Sequence, residues 1–192
     1  MRTRPLFSAL ALGIPLGLLS ACASAPVRFY TLAPSATEIT ASQQDAPVTY
    51  VPRLSLPDYL DTQDILTRDG SALTRSSNSR WASRLSQSAT DLIVARLSQD
   101  NPHRMITGYL PLDTPASRLS VTIERMDLTQ QGEAALVASW TDLPREESHP
   151  ARQGRTQISV KGSVTDDAAK TALLQKLFEQ LADRISPTLA TD

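Results

Sequence analysis

Few side chains in this sequence could do chemistry, and they fall into three groups. The first is Cys22, the chain's single cysteine. As a thiolate it is a nucleophile, and a lone exposed thiol is a reactive group. The second is Asp58, Asp61 and Asp64, three carboxylates at a spacing of three. Three carboxylates could hold a hard cation, but the ligand spacing and loop glycine of an EF-hand are missing, so a solvated strand-to-loop segment is expected. The third is His103 and His149, the only histidines, each beside a proline and far apart in sequence. A zinc site needs more ligands than this chain groups together, so both read as surface residues. The sequence has no Gly-x-Ser-x-Gly elbow, no P-loop and no Gly-x-Gly-x-x-Gly turn. No catalytic residue and no metal ligand is assigned, and the expectation is a protein that is not an enzyme.

The setting of Cys22 gives its thiol a use. Arg2 and Arg4 open the chain, and an apolar run over residues 6–19 follows, with only Ser8 polar in it. Leu19-Ser20-Ala21-Cys22 closes the run. A basic start, a short apolar stretch and small residues at its end define a secretory signal, and the run falls short of the roughly 20 residues that a membrane span needs. The last four residues resemble the lipobox of bacterial lipoproteins. That resemblance implies a signal peptide over residues 1–21, a diacylglyceryl group on the Cys22 sulfur and an N-acyl chain on its new amine. No other cofactor is expected. Ala23, rather than Asp, follows the cysteine. By resemblance to sorted lipoproteins this implies transfer to the outer membrane, with the anchored domain on its periplasmic face.

Removal of the signal leaves 171 residues, enough for one domain of ordinary size. The signal takes two of the 19 basic residues and no acid, so 17 basic and 20 acidic side chains remain, a net charge of −3. No basic patch invites nucleic acid. Residues 23–28 form a short leader behind the lipidated Cys22, and residues 29–190 form the domain. Six extended residues reach roughly 20 Å, so the domain must lie close to its membrane.

Periodicity supplies the elements that position everything else. Strands are predicted over residues 29–32, 48–56, 65–68 and 72–75, the last two joined at Asp69-Gly70, a hairpin signal. Residues 33–47, rich in Ser, Thr, Ala and Gln, read as a loop. A helix over residues 80–99 places Trp81, Leu85, Ala89, Leu92, Ile93 and Leu97 on one face, with Asn78 or Ser79 as its cap and Asp100-Asn101-Pro102 as its stop. Four more strands are expected, over residues 105–108, 118–128, 134–141 and 156–164, with a charged loop at 142–154. Leu119, Val121 and Ile123 alternate with polar residues, giving one buried and one wet face. A closing helix over residues 166–186 carries Leu174, Leu177, Phe178, Leu181 and Ile185, and Pro187 follows its end. The expected fold is α+β: one mainly antiparallel sheet packed with two amphipathic helices in a single domain.

Four stretches carry a family resemblance: Phe29-Tyr30-Thr31-Leu32 behind the lipobox, Leu56-Pro57-Asp58-Tyr59-Leu60-Asp61, Ile65-Leu66-Thr67-Arg68, and Arg80-Trp81-Ala82 with Leu85. In this order they resemble the ABC-type transport auxiliary lipoprotein family. The resemblance implies an outer-membrane partner of a system built on a mammalian-cell-entry (MCE) domain protein that moves lipid between membranes and supports membrane integrity. The domain would dock the spanning component, alone or as a homo-oligomeric collar. A structural or assembly lipoprotein of an outer-membrane β-barrel complex is the alternative, and direct lipid carriage, which needs an apolar groove, is a third. Tyr59 and Leu60 are candidate partner contacts, against core or edge packing. Trp81 and Trp140 are open to the same two readings, because tryptophan serves both cores and interface hot spots.

Overall fold

The computed structural model describes residues 25–32 and 46–189. Cys22, the signal, most of the predicted loop at 33–47 and the last residue of the predicted domain lie outside the described residues. The chain order is β1 (Arg28–Tyr30), β2 (Val48–Tyr50), β3 (Asp64–Asp69), β4 (Ala72–Trp81), α1 (Leu85–Asp100), β5 (Met105–Thr107), β6 (Ser117–Leu128), β7 (Glu133–Pro144), β8 (Arg152–Lys161) and α2 (Asp167–Leu189). Four strands, a helix, four strands and a helix are the succession that periodicity predicts, and the fold is α+β.

The strands do not form the single sheet expected. A three-stranded sheet has the order β1-β4-β3, and a five-stranded sheet has the order β5-β2-β6-β7-β8. Both are mixed: the hairpins β3/β4, β6/β7 and β7/β8 are antiparallel, while β1/β4, β2/β5 and β2/β6 are parallel. The long antiparallel ladders come from short turns, which sequence shows. The short parallel pairs join strands distant in the chain, and no local signal specifies them. An isolated bridge from Arg68 to Thr129 ties the two sheets together.

Several boundaries shift for identifiable reasons. The second predicted strand shrinks to Val48–Tyr50. Beyond it the chain runs irregularly, held by a bridge from Ser55 to Thr122 and by the Leu54 amide donating to Thr90 Oγ1 on α1 at 3.0 Å. The third and fourth strands form the expected hairpin, with Gly70 at φ 57° in its turn. But β4 continues to Trp81, because β1 pairs with its last three residues. Trp81 is therefore a strand residue, and neither Asn78 nor Ser79 caps the helix. Helix α1 starts at Leu85 behind Arg84, which supplies no side-chain cap. The charged loop is also shorter than 142–154, since β7 extends to Pro144 and β8 begins at Arg152.

Strand β6 carries a bulge that the alternation alone does not reveal. Leu119, Val121 and Ile123 are buried; the register then slips between Ile123 and Arg125, and Met126 and Leu128 are buried in turn. The extra residue keeps both halves of the strand facing the core. Without it, Arg125 and Asp127 would point inward. Helix α2 absorbs Pro187 rather than ending before it. Its last turn is held from outside: Trp140 Nε1 donates to Thr188 Oγ1 at 3.0 Å, and Arg152 donates to the Thr188 carbonyl at 3.0 Å. The two helices bury Leu92, Ile93 and Leu97 of α1 and Leu177, Phe178, Leu181 and Ile185 of α2 in one core with the inner faces of the sheets.

Candidate functional site

The motif residues meet in space, but as architecture. Trp81 is 1% exposed and Leu60 is equally a core residue. They line one small internal gap with Leu66, Leu85, Met126 and Leu174. Neither offers a surface to a partner, so both are corrected from candidate contacts to packing. Tyr59, beside them in sequence, remains exposed next to Arg68. Trp140 is buried at the far end of the larger sheet. Asp61 supplies the cap that Arg84 lacks: its Oδ1 accepts the Ser86 amide at 3.2 Å, and the Thr62 carbonyl accepts the Leu85 amide at 3.2 Å. Asp64 is drawn instead to Arg80 at 3.1 Å, and Asp58 is exposed. The three carboxylates thus serve different neighbours. His149 lies in an exposed loop 3.5 Å from Glu146, and His103 follows the end of α1.

The chain has two opposite poles. Helix α2 starts beside the entry strand: Asp167 accepts a hydrogen bond from Ser76 at 2.5 Å, in a cleft shared with Pro26 and Arg28. It ends beside Asn101, Arg104 and Pro47. Twenty-three residues at about 1.5 Å each separate these ends by about 34 Å. The chain enters the described domain at the first of these ends, since Pro26 and Arg28 line its cleft.

The far half of the domain carries its most exposed apolar residues. Nine residues connect β5 to β6. Within them Tyr109 is 83% exposed, Leu110 is 75% exposed and Leu112 is completely exposed. The loop departs from the outer face of the larger sheet, where the Tyr109 amide donates to Thr107 Oγ1 at 3.1 Å. Thr107, Tyr50, Arg118 and Leu143 lie opposite one another in register and so share that face. The Arg118 guanidinium stands 5.9 Å from the Tyr50 ring centroid, and Met105 and Leu143 are exposed beside them. Scattered apolar surface residues are normal, whereas a contiguous group with a polar rim marks an interaction site. Sequence reasoning missed this loop. The available signal was Tyr109-Leu110-Pro111-Leu112 directly after Gly108, apolar residues in a stretch with neither helical nor strand period.

A polar cluster links the strands beneath. Thr49 and Ser117 hydroxyls are 3.0 Å apart, and Arg104 donates to Thr49 Oγ1 at 3.1 Å. Burial holds the Arg104 guanidinium below its ordinary pKa, with Asp142 opposing the shift and Arg152 adding to it. Arginine nonetheless stays charged. Asp142 is buried, and its Oδ1 has no hydrogen-bond partner among the described residues. The cleft here, about 440 Å³, is lined by Arg104, Asp142, Arg145 and Glu146. A second cleft of about 600 Å³ at the opposite pole is lined by Arg28, Arg75, Asp166, Asp167 and Lys170. Charged side chains line both clefts, and Pro47, Val48, Ala116 and Pro144 add apolar surface to the first.

Residues 30–186 match the model of the ABC-type transport auxiliary lipoprotein component. The chain belongs to that family. This auxiliary lipoprotein has no significant match among curated protein sequences. Its fold is similar to the crystal structure of an uncharacterised protein at TM-score 0.71, 17% identity, covering 86% of this chain and all of the other. A protein from Xanthomonas campestris is similar at TM-score 0.61 and 16% identity, over 84% of this chain and 93% of that one. At such identities the likeness shows the fold alone. Among the described residues no helix is long and apolar enough to cross a membrane. The family makes the protein a lipoprotein component of a transport system.

Proposed function

We propose that this auxiliary lipoprotein is anchored through Cys22 on the periplasmic face of the outer membrane. There it docks the MCE-domain component of an intermembrane lipid transport system. The observation that carries the reading is the opposition of the two poles. The chain enters the domain six residues after Cys22, while Tyr109, Leu110 and Leu112 stand exposed on the far half. A leader of roughly 20 Å cannot cross the periplasm, so a spanning partner must come to the domain and would meet its far side first. The role is positioning rather than catalysis. An anchored domain presenting an apolar loop gives a passing tube a fixed end, and a homo-oligomeric collar would repeat that loop around it.

Affinity capture of the full chain from solubilised envelopes tests the reading. The expected result is co-recovery of an MCE-domain protein, lost in a Leu110→Asp/Leu112→Asp variant. Recovery of barrel-assembly proteins alone would instead favour a β-barrel accessory. For placement, the wild-type chain should band with outer membranes on a density gradient and an Ala23→Asp variant with inner membranes. Inner-membrane banding of the wild type would overturn the assignment.

A further inference from the structure

The pole next to the anchor has a surface of its own. Strand β1 is the edge of the small sheet, with β4 on one side only. Its residues divide by parity. Tyr30, opposite Trp81, packs against the core, and Arg28 lies opposite Ser79. Val27 and Phe29 point the other way, 50% and 65% exposed. An exposed edge strand with apolar side chains invites unwanted pairing, and proteins normally blunt it with charge. Here apolar residues sit at the edge, immediately behind the chain's attachment point.

We infer that Val27 and Phe29 enter the boundary between headgroups and acyl chains of the anchoring membrane, with Arg28 and Arg75 meeting lipid phosphates. The inference rests on the proposed acylation of Cys22 and deepens it. Three observations favour a bilayer as the occupant. Val27 is five residues from Cys22, so even a fully extended connection keeps it within about 18 Å of the lipid-bearing sulfur. Arg28 and Arg75 line the adjoining cleft and make no ion pair with the described residues. The acids of that cleft are engaged in starting α2: Asp166 accepts the Ala169 amide at 2.8 Å, and Asp167 holds Lys170 at 3.0 Å and Ser76. Free guanidinium groups on the other side of the same edge strand suit an interface rich in phosphate, which the strand meets edge-on. The consequence is orientation. Acyl chains alone tether the domain and let it swing, whereas a second contact on β1 fixes the far loop pointing into the periplasm.

The test uses the acylated full chain carrying Phe29→Trp, reconstituted in vesicles of phosphatidylethanolamine and phosphatidylglycerol with or without bromine on the acyl chains. Trp81 and Trp140 are buried, and the unsubstituted protein supplies their background. Loss of the introduced indole's emission in brominated vesicles, and its restoration to water-like emission when Val27→Asp and Arg28→Glu are added, is the expected result. Red-shifted, unquenched emission from the single variant would place β1 in water and overturn the inference. Blue-shifted, unquenched emission would mean that protein, such as a second copy pairing at the β1 edge, covers the strand, which also overturns it. The intact mass of the mature chain separates the two readings. An acylated but unquenched protein sinks only this inference, and an unacylated one sinks the anchor reading and this inference with it.

Discussion

Replacing Trp81 with alanine should unfold the domain far more readily without touching any exposed surface. The indole is 1% exposed at the end of β4, against Leu60, Leu66, Leu85, Met126 and Leu174. Five separate segments therefore face the space it would vacate. The backbone there is fixed as well, since the Trp81 amide donates to the Gln63 carbonyl at 2.7 Å and the Ala82 amide to the Tyr30 carbonyl at 2.8 Å. A site pinned on so many sides collapses poorly, which puts the loss in the usual range for buried aromatics, about 3–5 kcal/mol. For a domain whose whole stability is about 5–15 kcal/mol, that is a large fraction. At roughly 2–4 °C per kcal/mol for a chain of this size, the melting temperature should fall by roughly 6–20 °C. Circular dichroism on heating measures it, and Trp140 remains as an independent fluorescent probe at the far pole. Trp81→Phe should recover much of the loss. A Trp81→Ala protein within about 1 kcal/mol of wild type but defective in partner capture would refute the packing assignment and restore Trp81 as a contact.

Other outcomes follow from single sites. Gly154 lies opposite Trp140, and a Cβ there would come 2.3 Å from Trp140 Cζ2, so Gly154→Ala must displace the ring from Thr188 and should cost about 1–3 kcal/mol, read by urea denaturation with a red shift of Trp140 emission. Asp127 is ion-paired with Arg68 of β3 and, at 2.7 Å, with Arg125. Burial alone would raise its pKa, but these hydrogen bonds outweigh burial and hold it below the ordinary carboxylate value. Its contribution is therefore complete at neutral pH and lost as pH falls below about 4 through the depressed folded-state value, so Asp127→Asn should be destabilising at pH 7 and progressively less so in acid. An equal deficit at pH 7 and pH 3 in denaturant melts would contradict this. Leu110→Asp/Leu112→Asp should leave the unfolding midpoint within about 0.5 kcal/mol of wild type while abolishing partner capture, because both side chains already face solvent. A large stability loss would show that the loop packs on its own domain.

The sequence alone determined whatever depends on neighbours in the chain. The order of elements, both apolar helix faces from Leu85 to Leu97 and from Leu174 to Ile185, the turn at Gly70, and the family motifs were all legible, because periodicity and turn chemistry act over a few residues. Tertiary structure decided whatever depends on residues far apart. The pairing of β1 with β4 carried Trp81 out of the predicted helix and into a strand, and a carboxylate 24 residues before that helix, Asp61, became its cap. The splitting of one expected sheet into two, the bulge after Ile123 and the last turn held around Pro187 also came from long-range contacts. The most consequential decision of this kind was exposure. Leu60 and Leu112 are the same residue type in two irregular segments, and only the packing of sheets and helices around them buries one and leaves the other in water. Burial is a property of the assembled surface, so an exposed leucine is told from a core leucine only once the chain has closed around its core.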